Sequence, residues 1–192
     1  MKKFFRNICI ASALISGFTS CEDDVDPVVE NQEEVITDVT ITLTAEGFDT
    51  VTLTASDTDG DQEIDEITGG SLVANTLYTG SIELLNSTED PTEDITEEIK
   101  EEMEDHQFFY NSDDTLNLDL GSYLDEDADG NPVGLEFTLQ TGNAGSGDLT
   151  VILLHEPNKE GENVAEGDPT NAEGEEDVNV VFPISVNYLE IL

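Results

Sequence analysis

The chain has 192 residues, with 46 Asp and Glu against 5 Lys and Arg, for a formal net charge of −41 at pH 7. That balance excludes nucleic-acid binding, which needs a basic face to displace phosphate counterions, and by the same sign excludes adsorption to anionic lipid headgroups. There is no tryptophan, the usual stacking platform for sugars.

At the N-terminus, Lys2, Lys3 and Arg6 precede an apolar run from Ile8 to Phe18 that closes on small residues before Cys21. The run is too short for a spanning helix and reads as a secretory signal over residues 1–20. Cys9 would leave with the signal, so Cys21 would be the only mature cysteine. With no disulfide partner in the chain, Cys21 is better explained by anchoring than by stapling a fold. Residues 21–34 are acidic and lack periodicity, which predicts a flexible tether. All 46 acids lie after Cys21, and only Lys100 and Lys159 remain there as Lys or Arg. Such charge repels itself and destabilises a compact state unless salt screens it or cations bind.

The stretch "FTSC" resembles a bacterial lipobox, with Phe18 where leucine is usual, and the resemblance implies that Cys21 is lipid-modified as the first mature residue. "CEDD" resembles the acidic export signals behind the lipidated cysteine of Bacteroidota surface lipoproteins. It implies an outer-membrane location, lipid-anchored, on the cell-surface or periplasmic side.

From residue 35 to 192, alternation dominates. Val39, Ile41 and Leu43 alternate with threonines, and so do Val51, Leu53 and Ala55; the turn "AEGFD" between them predicts a hairpin. In "SLVANTLYTGSIELLN", Leu72 precedes Tyr78 by six residues. This is similar to the L-x-P-x-T-x-Y stretch at the tyrosine corner of fibronectin type III sandwiches, with Ala74 in the proline position. The resemblance implies a tyrosine hydroxyl bonded to upstream backbone. "DPTEDITEEIKEEMED" predicts one helix, with Asp90 as N-cap, Pro91 at the first helical position, Glu93 completing a capping box, and an apolar stripe of Ile95, Ile99 and Met103. Strand patterns resume at "HQFFY", "TLNLDLGSY", "GLEFTLQT", "DLTVILLHE" and "DVNVVFPISVNYLEI", separated by Gly- and Asp-rich connectors. The expected fold is an all-β, immunoglobulin-like β-sandwich of about eight strands with one short helix insertion.

Candidate site residues lie in the connectors and at strand ends. "DEDADGNPVGLE" at 125–136 matches the calcium-loop pattern, with Asp125, Asp127, Asp129, Asn131 and Glu136 as candidate ligands. Pro132 and the alternation through Glu136 place it in a hairpin rather than between the helices of an EF-hand. Asp57, Asp59 and Asp61 repeat the alternate spacing more loosely; oxygen ligands on such loops suit calcium, and solvated acidic turns are the alternative reading of both loops. The two histidines, His106 and His155, each stand beside an acid near a predicted strand end; with Glu104 or Glu156 they could hold zinc, copper or nickel. No G-x-S-x-G, H-E-x-x-H or Cys–His arrangement supports catalysis. By its "SCEDD" start, Thr-rich strands and Asp-Gly loops, the chain resembles the small β-sandwich lipoproteins of Bacteroidota. The expectation is a non-catalytic accessory binding module held to the membrane by its lipid anchor, working with an outer-membrane transporter by analogy. A calcium-stabilised structural or adhesion domain is the alternative, and a hydrolase ranks behind both.

Overall fold

The structure, a computed structural model, describes residues 34–61, 63–113 and 115–189. The signal at 1–20, Cys21 and the tether to residue 33 lie outside the described residues.

Among the described residues, eleven strands form two sheets. In the first, β1 (Asp38–Thr44) pairs antiparallel with β2 (Val51–Ser56) on one side and β5 (Leu77–Asn86) on the other. β3 (Glu66–Thr68) extends it beyond β2. Beyond β5 come β9 (Glu136–Thr141) and β8 (Leu118–Tyr123), and the short β6 (Glu93–Asp94) also pairs with β5. The second sheet runs β4 (Gly70–Val73), β11 (Glu175–Asn187), β10 (Gly145–His155) and β7 (His106–Ser112). β4 lies parallel to β11, and the other pairs in this sheet are antiparallel.

The period-2 pattern explains the layering, because alternate residues of a strand face one side. Val39, Ile41 and Leu43 of β1 and Ile82 and Leu84 of β5 meet Leu149, Val151 and Leu153 of β10 and Val180, Phe182 and Ile184 of β11 in one buried cluster. This is a β-sandwich. Gly80 permits the closest approach within the first sheet: a Cβ there would lie 2.4 Å from the Phe137 ring.

The helix is shorter than its capping signals predict. α1 spans Ile95–Glu101, and its N-cap Asp94 makes no side-chain capping bond. Glu93 and Asp94 are instead spent on pairing with Asn86 and Leu85. Ile95 and Ile99 are buried as expected, whereas Met103 begins a following 3₁₀ turn. Thr96 docks the helix, its hydroxyl accepting from Leu84 N–H at 2.8 Å and donating to the Leu84 carbonyl at 3.1 Å.

The acidic excursion at 156–174 covers the outer face of the second sheet. Val164 and Ala172 pack there against Phe109 and Leu154, and the Gln107 side chain donates to the Val164 carbonyl at 2.9 Å.

Candidate functional site

His106 opens β7 and His155 closes β10, and the antiparallel register makes them direct cross-strand partners. Their rings stack at 4.8 Å between centroids, 9° from parallel. Both are buried. His106 Nδ1 lies 3.0 Å from the Glu102 carbonyl. A carbonyl only accepts, so Nδ1 carries the proton and donates, and the Nε2 of the neutral ring bears the lone pair. That Nε2 faces Glu34 Oε1 at 3.5 Å and Asp177 Oδ2 at 4.0 Å. His106 Nε2 and Glu34 Oε2 are buried and make no hydrogen bond.

Asp177 reaches this point through an irregularity in β11. Leu153 pairs with Val178 but Leu154 pairs with Glu176, so the register shifts and Asp177 is the extra residue. In an unbroken strand Asp177 would face away from the buried Val178; a bulge re-aims such a side chain. Glu34 arrives from just before β1. The sequence reading assigned it to the tether, but its carboxylate packs against His106 because the chain enters the sandwich beside the start of β7.

The electrostatics follow from burial. Desolvation, and then the carboxylates of Asp177, Glu98 and Glu102, push the Glu34 carboxyl up to about 7. Desolvation also pushes the His106 imidazole below its usual value, despite the bond to the Glu102 carbonyl. Ligand atoms of His106, His155 and Asp177 lie within 4.8 Å of one another, as do those of Glu34, Glu102 and His106. The histidine pair was legible from the sequence, but its acidic neighbours were misassigned. Glu104 and Glu156 are exposed, and the acids beside the rings come from residues distant in the chain or from the preceding helix end.

The loop at 125–136 joins β8 to β9 and is flanked by strands. Asp125 accepts from the N–H groups of Gly134 and Leu135, at 2.9 and 2.8 Å. Asp127 Oδ1 accepts from the Asp129 and Asn131 N–H groups, while its Oδ2 lies 3.0 Å from Lys159 Nζ in a buried ion pair. Asp129 and Glu136 are exposed. Among the described residues, no group of three acids or histidines within 4.8 Å draws on this loop. Asp125 and Asp127 hold the loop backbone, and Asp127 also pairs with an internal ammonium. Burial alone would raise the Asp127 carboxyl, but the Lys159 ammonium and the Asn131 and Asp129 N–H groups outweigh it and hold it below its usual value.

Asp57, Asp59 and Asp61 do gather within 4.8 Å. Asp57 also accepts from the Asp59 and Gly60 N–H groups, at 3.1 and 2.8 Å. The carboxylates of Asp61 and Asp65 push exposed Asp59 upward.

A cleft of about 490 Å³ opens beside the 125–136 loop, floored by Tyr110, Tyr123 and Phe137 and rimmed by Asp125, Glu126 and Glu166. Tyr110 donates to the Gly134 carbonyl at 2.6 Å and Tyr123 to the Phe108 carbonyl at 2.8 Å, which fixes both rings. Burial pushes the Tyr123 phenol up to about 12, so it stays neutral at pH 7.

No protein-family model, curated protein or solved structure matches the chain.

Proposed function

We propose that this protein is an exported, lipid-anchored β-sandwich of the outer membrane that acts as a non-catalytic accessory binding module. The observation that carries the reading is the "FTSC" to "CEDD" junction, which follows a charged and then apolar leader and is succeeded by an acidic stretch without periodicity. The tyrosine-floored cleft supports a binding role. It offers rigid aromatic surface, fixed phenols and an acidic rim, which favour a small neutral or cationic ligand over an anion.

Cys21→Ala tests the anchor. The variant is expected to leave the membrane fraction and to lose palmitate incorporation, because among the described residues no helix is long and apolar enough to cross a membrane. Palmitate labelling that persists without the Cys21 thiol overturns the assignment.

A further inference from the structure

We propose that His106, His155, Asp177 and Glu34 bind one divalent transition-metal ion of the zinc type. The lone pair on His106 Nε2, fixed there by the Nδ1–H bond to Glu102, points at two carboxylates with no hydrogen bond between them. A cation at their common centre gives the buried His106 lone pair, which meets no donor, and both carboxylates one shared partner. Ligands sharing one ion at bonds of about 2.0–2.1 Å stand about 3.3 Å apart when tetrahedral. The His106–Glu34 separation of 3.5 Å fits that spacing, whereas the 4.0 Å to Asp177 must shorten. His155, within 4.8 Å of His106 and Asp177 but stacked parallel on the His106 ring, must turn to bring a nitrogen to the same ion.

Three further features fit a built site. The ring of a metal-bound histidine donates its other N–H to a carbonyl or carboxylate, as His106 does to Glu102. The register shift in β11 delivers Asp177 to a side it would otherwise face away from. Two imidazoles with two carboxylates select zinc, cobalt, nickel or copper over calcium or magnesium, which prefer all-oxygen cages. Four protein ligands close the coordination sphere, so the role is structural. Glu34 leads into β1 of the first sheet and the other three stand on the second, so the ion would staple the two sheets at one end of the sandwich.

The test uses the full-length protein in detergent, stripped with chelator and titrated with Zn²⁺ against a chromophoric competitor. Millimolar Mg²⁺ is present to occupy the many surface carboxylates. One equivalent of tight binding and a zinc-dependent rise in melting temperature are expected. Glu34→Gln and His155→Gln should each bind at least about 100-fold more weakly, since even outer-shell losses cost 10–100-fold. Their zinc-free circular dichroism reports whether each folds, and Glu34→Gln, at the domain's edge, keeps the test alive if His155→Gln does not. Co²⁺ substitution should give the intense visible bands of a four-coordinate site. Zinc binding of equal strength in folded Glu34→Gln, no saturable equivalent in the wild type, or a weak six-coordinate cobalt spectrum each overturns the proposal.

Discussion

Lys159 puts its ammonium 3.0 Å from Asp127 Oδ2 and 2.5 Å from the Met103 carbonyl, so it ties the 125–136 loop to the turn after α1. Removing one member of such a buried pair strands the other charge. Lys159→Met and Asp127→Asn are each expected to cost about 3–5 kcal/mol by urea unfolding, and Lys159→Met/Asp127→Leu should recover much of that loss. The pH dependence has a definite sign. The folded Asp127 carboxyl titrates below its unfolded value, so its contribution is fully present above about pH 4 and is lost as pH falls through the lower, folded value. Urea midpoints that decline equally below pH 4 in wild type and Asp127→Asn would contradict this. At this scale the sequence was a partial guide. The D-x-D-x-D-G spacing identified a loop that uses its carboxylates, but Lys159, 32 residues after Asp127, is brought to it by tertiary packing. Glu34 and Asp177 escaped notice beside the histidines for the same reason.

Among elements, β4 and β5 are joined at a corner. The Tyr78 hydroxyl accepts from Val73 N–H at 2.9 Å, and Tyr78 and Leu72 are both fully buried. Tyr78→Phe is expected to lose about 0.5–1.5 kcal/mol. Leu72→Ala should lose about 2–5 kcal/mol, because a cavity adds to the transfer loss. Denaturation midpoints of both variants check the order, and a Leu72→Ala loss below that of Tyr78→Phe would place the core elsewhere. Long strands were legible because each repeats apolar residues at period 2, as Val178 to Val186 do in β11. β3 and β6, of three and two residues, carry too little pattern to be read. "SLVANTLYTG" reads as one segment, yet Asn75, with φ of 55°, turns the chain so that β4 joins one sheet and β5 the other. Likewise, Asp90, Pro91 and Glu93 form a good local capping signal, but strand pairing at Glu93–Asp94 wins over it.

Across the whole molecule, 46 acids meet few cations, so self-repulsion works against the compact state. Raising NaCl from about 0.01 M to about 1 M shortens the screening length from about 30 Å to about 3 Å, and the melting temperature is expected to climb across that range. A flat response in calorimetry would mean that the folded arrangement leaves little repulsion to screen. The same scarcity of cations bears on how long the protein would last among secreted digestive enzymes. Trypsin-like proteases need a reachable lysine or arginine in an extended segment. Among the described residues the candidates are Lys159, whose side chain is 5% exposed, and Lys100, which lies inside α1. The sandwich therefore presents such enzymes with almost nothing to cut, and the buried ammonium that holds a loop in place also removes a cleavage site.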